Sequence, residues 1–198
     1  MTLAELLASA AALHPVLSSS SNPEALNVGT RLQVSARHVS AAQFGARFFG
    51  DPTQVAPLTD SATAQTAAMM LVFGCGQASI DLCASSLLRW QGILPKQGRD
   101  HDFGDLTRQV STGAVTLAPK QRRWYDTILS QPDGQQLTTF RDAIVHRVIR
   151  QDARVGGFPR TSIAPSTSTS GIEEASILLQ RIAAFAEARW REFWSAFA

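Results

Sequence analysis

The chain has 198 residues, 44% of them hydrophobic and 17% charged, with a formal net charge of +2. That length suffices for one domain with a real core, and so small a net charge does not by itself demand a nucleic-acid partner. Ala is abundant and β-branched runs are scarce, so long segments favour helix over strand.

The basic residues are nearly all Arg, with Lys96 and Lys120 the exceptions. Arg suits bidentate phosphate contact, although a genomic bias in base composition produces the same excess. No Cys/His cluster has metal-ligand spacing, and there is neither a phosphate-binding Gly-rich loop nor a Gly-x-Ser-x-Gly nucleophile motif. Phe73-Gly74-Cys75-Gly76 approaches Gly-x-Gly but lies in a helical pattern with no strand before it. Neither a metal nor a cofactor is expected.

Thr2 to Leu13 reads as a short helix opened by the capping box Thr2-x-x-Glu5. No Lys or Arg precedes its Leu/Ala run, which suits a helix start better than an export signal and predicts a cytoplasmic protein. Asn22-Pro23 places an N-cap before a first-turn proline, and the helix it opens runs to about Phe49, where Gly50-Asp51-Pro52 stops it. His38 on this helix reads as a partly exposed side chain.

Asp60 or Ser61 caps a long segment reaching about Trp90, apolar on much of its circumference and so expected at the centre of a bundle. Its most apolar stretch, Ala67 to Gly76, is too short to span a membrane. Cys75 and Cys83 would stand ~12 Å apart along the axis, too far for a bridge. They read as thiols in a reducing compartment. Gln77 and Asp81 are i,i+4 neighbours. Asp81, among Ile80, Leu82 and Cys83, is expected either to pair with a buried Arg such as Arg141 or to belong to an active cleft.

Gly92 to Gly104 is a polar loop carrying His101 between Asp100 and Asp102. That residue reads as a mobile loop histidine flanked by solvated acids, with a second acid/base group as the functional alternative. Asp105 to Ser111 forms a short helix. Pro119 opens another, with Trp124, Ile128 and Leu129 inward and Arg122 and Arg123 on a solvated face that could also contact phosphates. Gln131-Pro132-Asp133-Gly134 breaks that helix and leads into one spanning about 133–150. Val155 to Ser170 reads as a long flexible loop. The capping box Ser170-x-x-Glu173 opens the last helix, where Ile172, Ala175, Leu179, Ile182, Ala186, Trp190, Phe193 and Phe197 keep helical spacing. Its Trp190/Phe193/Trp194/Phe197 cluster is apolar enough for a core or a dimer face.

The stretch Phe140-Arg141-Asp142-Ala143-Ile144-Val145-His146-Arg147 carries the clearest chemistry. At ~100° per residue, Asp142 and His146 fall on one helix face as i,i+4 neighbours. There a carboxylate can fix the imidazole tautomer and raise its pKa. Leu137, Phe140, Ile144 and Val148 form the apolar stripe, with Arg141 on its flank. A guanidinium, a carboxylate and an imidazole are the groups needed to cleave a phosphodiester without a metal.

Arg141-Asp142-x-x-x-His146 resembles the Arg-x(4–6)-His motif of HEPN domains, in which a polar residue often follows the Arg. The motif helix is also followed by one last long helix, as in that family. Arg31 and His38 fit the loose spacing too, but Leu32 follows that Arg. The Tyr that some members carry two residues after the His is Val148 here. The resemblance implies a small, commonly dimeric helical bundle acting as a metal-independent endoribonuclease in a toxin–antitoxin or phage-defence setting. It assigns proton transfer to His146, stabilisation of the phosphorane charge to Arg141, and orientation of the imidazole to Asp142. Arg147 and Arg150 would hold the RNA backbone, and an antitoxin protein would be a partner.

The sequence therefore predicts an all-α bundle of five to seven helices in one domain over residues 1–198, with N-terminal helices over 1–50 and a core over 60–198. The alternative is a non-catalytic helical interaction module that binds a partner protein, RNA or a nucleotide through the same basic helix.

Overall fold

The apolar segment expected at the centre of the bundle is one continuous helix. Length and composition alone would let its Thr63–Trp90 stretch cross a bilayer, and more than half of its most apolar window is buried within the bundle. The apolar character runs past Gly76 because Ile80, Cys83, Ala84, Leu87 and Leu88 continue it, all of them buried. The computed structural model describes residues 17, 19–50, 61–96, 99–143 and 169–197. The expected helix over 2–13 and the expected loop over 155–170 lie largely or wholly outside these residues.

Among the described residues there are six helices and no strand. Helix α1 is Ala25–Gly50, and α2 runs through Ser61–Met70, a π-helical turn at Leu71–Cys75, and Gly76–Trp90. Then come α3 (Phe103–Ser111), α4 (Pro119–Ser130), α5 (Pro132–Ala143) and α6 (Thr169–Phe197). The count and the all-helical class agree with the sequence reading.

Each helix start has a local cause. The Asn22 carboxamide oxygen accepts from the Glu24 N–H at 2.9 Å, and its Nδ2 donates to the Trp90 carbonyl at 3.0 Å, tying the start of α1 to the end of α2. Asp102 and Asp105 form a capping box at the start of α3, so this helix begins two residues before the predicted Asp105. Pro119 fills the first position of α4, where an N–H would have no helical acceptor.

The three long helices form the core. Helix α1 buries Val28, Leu32, Ala36, Val39, Ala42, Ala46 and Phe49 along α2 and α6. Helix α6 buries Ala175, Leu179, Ile182, Ala186, Trp190 and Phe193, as its spacing predicted. Phe103, Trp124 and Phe193 then stitch α3, α4 and α6 together, with ring centroids 5.9 Å and 4.8 Å apart at edge-on angles. Trp190 and Phe193 are core here, and Trp194 stacks on Trp190 at 5.1 Å. Leu129, expected inward, is 43% exposed. It lies ~100° around the axis from Ile128 and ~140° from Trp124, off their inward stripe.

Helix α5 is seated by close approach. Leu137 is fully buried against α2, and a Cβ placed on Gly76 would meet its methyl carbons at 3.4 and 3.5 Å. At Gly134, in the first turn of α5, a Cβ would lie 2.2 Å from the Ile128 carbonyl oxygen of α4. Only glycine lets the two helices meet that closely. We expect Gly134→Ala to destabilise the fold by about 1–3 kcal/mol through this overpacking. Chemical denaturation would measure it, and an unchanged midpoint would contradict the contact.

Cys75 and Cys83 are both free thiols, as their spacing required. Burial raises the Cys75 pKa, and it pushes the fully enclosed Cys83 up to about 12. Native-state alkylation read by mass spectrometry should modify Cys75 slowly and leave Cys83 untouched until denaturant is added. Rapid labelling of Cys83 in the native state would contradict that burial.

Candidate functional site

The motif helix begins as expected. Its backbone is helical through Ala143, so the positions of Arg141 and Asp142 lie on α5. Their side chains, and all of His146, Arg147 and Arg150, lie outside the described residues. Helical register carries position 142 onto the face of 135, 138 and 139, and position 141 onto the flank shared by 134 and 137.

That face borders a cleft of about 520 Å³. Helix α5 contributes Gly134, Gln135, Thr138 and Thr139; α2 contributes Gln77 and Asp81; Asp102 and Phe103 come from the start of α3. Ile128 and the exposed Leu129 close the apolar side from α4. The volume is in the range of small-molecule sites.

Asp81 has a definite structural task in this cleft. Its Oδ1 accepts from Gln77 Nε2 at 2.9 Å and from the Phe103 backbone N–H at 3.1 Å. The Phe103 N–H is one of the donors that a helix start leaves without an intrahelical acceptor. Asp81 therefore fastens the first turn of α3 to the middle of α2. The i,i+4 spacing of Gln77 and Asp81 was legible in the sequence; the Phe103 contact, 22 residues away, was not.

Gln77 is 4% exposed. Its Nε2 serves Asp81, while its Oε1 is buried without a hydrogen-bond partner. It sits two residues past the π turn, in the first turn of the continuing α-helix. A π turn inserts a residue and re-aims the side chains that follow it.

His101 is not a mobile loop residue between solvated acids. Its side chain is 11% exposed, with Nε2 3.1 Å from the Ile93 carbonyl and Nδ1 3.6 Å from the Asp105 carboxylate. Facing a carbonyl, Nε2 must carry the hydrogen and donate it. The flanking loop folds back on α2 and α3, so both ring nitrogens of His101 face groups within the fold.

The second loose motif match is also spoken for. Arg31 Nη2 and Nε donate to Asp100 at 2.7 and 3.0 Å, and Nε also donates to the Ser85 hydroxyl at 3.3 Å. Asp100 accepts further from Ser85 at 2.8 Å, from the His101 N–H at 3.0 Å and from Arg89 at 3.4 Å. Arg89 continues the network to Glu24 at 3.0 Å. Burial would raise the Asp100 pKa, but the Ser85 hydroxyl and the Arg31 guanidinium outweigh it and hold the carboxyl below its usual range. Asn27 and then Arg89 lower Glu24 in the same way. Burial alone lowers His38, which favours its neutral form.

Arg122 and Arg123 stand on a solvated face. Arg122 forms a two-oxygen pair with Asp126 at 3.0 Å, and Arg123 lies 3.7 Å from Glu192. Among the described residues, no group of three or more His, Cys, Asp or Glu side chains could hold a metal ion. No family model, curated protein or solved structure matches the chain.

The Asp100 network gives a pH prediction with a definite sign. A carboxyl depressed in the folded state stabilises it above the unfolded pKa of about 4, and that contribution fades as pH falls through the folded value. Asp100→Asn should lower the melting temperature at pH 7 by about 2–4 °C, the equivalent of about 1 kcal/mol. The gap between parent and variant should close on acidification. A gap independent of pH would show that Asp100 acts through shape and not charge.

Proposed function

We propose that the chain is a metal-independent endoribonuclease of the HEPN type. The reading rests on one observation above the others: the Arg141-Asp142-x-x-x-His146 sequence begins on the penultimate of the described helices, in an all-α bundle and beside a cleft. Its setting before one last long helix agrees with the order that the resemblance implies.

The proposed reaction needs no metal, and solvent takes or supplies the proton that His146 does not. The ribose 2′-oxygen attacks phosphorus while its proton passes to a base, and the bond from phosphorus to the 5′-oxygen breaks as that oxygen gains a proton. His146 handles a proton at one of these two oxygens, and Asp142 fixes its tautomer. Arg141 stabilises the charge that builds on the phosphorane. Arg147 and Arg150 hold neighbouring phosphates without reading sequence. A homodimer would bring two motif helices to one groove, and a toxin or phage-defence role with a cognate antitoxin would suit such an activity.

Single-stranded RNA incubated with the purified chain in excess EDTA tests this. The parent should cleave, and His146→Ala and Arg141→Ala should each lose at least about 100-fold in rate, the usual worth of an acid/base or charge-stabilising group. Equal cleavage by all three proteins would identify a contaminant. RNA binding without cleavage would favour the non-catalytic interaction module.

A further inference from the structure

We infer that the solvent face of α1 is a binding platform for single-stranded nucleic acid, with Phe44 taking a base and Arg37 and Arg47 taking phosphates. The platform is on a different helix from the motif and follows from the chemistry of α1, so it does not rest on the nuclease reading.

Charge supplies the first argument. Helix α1 carries three arginines and no Asp or Glu over Ala25–Gly50. Arg31 is taken by Asp100. Arg37 and Arg47 are exposed, and neither has a carboxylate partner among the described residues. Arg47 reaches only the Gln43 carbonyl of its own helix, at 3.4 Å. Every other arginine whose side chain is described is ion-paired. Glu187, which reaches α1 from α6, is held by Gln43 and Arg191. Two guanidiniums are thus left open on an acid-free helix, the charge complement of a phosphate backbone.

The second argument is the ring between them. Arg37, Phe44 and Phe48 fall within about 40° of one another around the axis, and Arg37 and Arg47 bracket Phe44 along it, ~10 Å to one side and ~4.5 Å to the other. Phe44 is 55% exposed and stacks on the half-buried Phe48, with ring centroids 5.7 Å apart and planes 15° from parallel. Phe48 packs against the core and so anchors the pair. A base laid on Phe44 would extend a stack already begun, and every base has a flat face to offer. A duplex hides those faces between its own base pairs, which makes the ligand a single strand. A lipid surface suits this stripe less, because an interfacial helix needs a continuous apolar face and Phe44 shares its side of α1 with Arg37, Ser40 and Arg47.

Fluorescence anisotropy with a labelled 2′-O-methyl oligonucleotide tests this, because a strand without a free 2′-hydroxyl can bind but cannot be cut by the proposed reaction. The full chain should bind it, and should bind an abasic strand of the same length about ten-fold more weakly, the worth of a stacked base. Phe44→Ala should weaken binding of the base-carrying strand by a similar factor and leave the abasic strand unaffected. The double variant Arg37→Gln, Arg47→Gln should lower the slope of log affinity against log salt by about 1.4, two phosphate contacts at about 0.7 each. Ultraviolet cross-linking of a strand carrying 4-thiouridine should label the peptide that holds Phe44. Circular dichroism checks that each variant folds. Both arginines are exposed, so their double variant decides the matter if Phe44→Ala fails to fold.

No binding, equal affinity for the abasic strand, or variants that bind like the parent would overturn the inference. So would capture of the chain by anionic vesicles that the strand cannot displace, or a dimer that Phe44→Ala splits while no strand is bound. Strand binding on α1 by a chain that cuts no RNA would leave the platform standing and sink the nuclease proposal. RNA cutting undiminished in the α1 variants, by a chain that holds no 2′-O-methyl strand, would do the reverse.

Discussion

The seat of α5 on its neighbours is the constraint on which the rest depends. Leu137 drops its methyl carbons onto Gly76 of α2, and Gly134 brings the α5 backbone against the last turn of α4. At Gly134 a missing side chain sets the distance between helices, while at Gly76 a Cβ would make only ordinary van der Waals contact with Leu137. Close approach of this kind leaves one register, because interiors packed to crystal-like density do not slide. That register fixes which α5 positions face the cleft and where positions 141 and 142 fall around the axis. Any chemistry carried by the motif inherits its geometry from the Gly134 approach and the buried Leu137.

Buried and half-buried polar groups serve the same end. Asp81 ties α3 to α2 through a backbone N–H that a helix start cannot satisfy by itself. Asp100 gathers Arg31, Ser85 and Arg89 and so joins α1, α2 and the segment before α3. The Gln43 carboxamide donates to Glu187 and links α1 to α6. These are anchors between elements, each with its partners on more than one helix or loop. Gln77 differs, since only one end of its amide is used.

The helices were largely legible in the sequence because their causes are local. Pro119 at a first turn, Asn22 before Pro23, and the three-to-four spacing from Ala175 to Phe193 need no tertiary knowledge to interpret. What escaped were contacts between residues far apart in the chain. Asp100 reads as a solvated loop acid until Arg31, 69 residues earlier, is seen to hold it. His101 looked mobile although its partners, the Ile93 carbonyl and Asp105, are only eight and four residues away, because the sequence does not show how the loop folds back. The π turn at Leu71–Cys75 has no sequence signature, since it alters hydrogen bonding by one residue in an otherwise uniform apolar run. Of the candidate site, the sequence supplied the motif and the helix that begins it; the cleft beside that helix required α2, α3 and α4 to be brought together.

The proposed chemistry makes the ribose hydroxyl the attacking group, and this is the claim most directly open to measurement. An RNA strand carrying a single 2′-deoxy sugar at a mapped cleavage position would be compared with its all-ribose parent in the presence of EDTA. The account predicts that cleavage at that position stops while other positions continue, and that the all-ribose products end in a 2′,3′-cyclic phosphate and a 5′-hydroxyl. Continued cutting at the deoxy position, or products bearing 5′-phosphates, would contradict it.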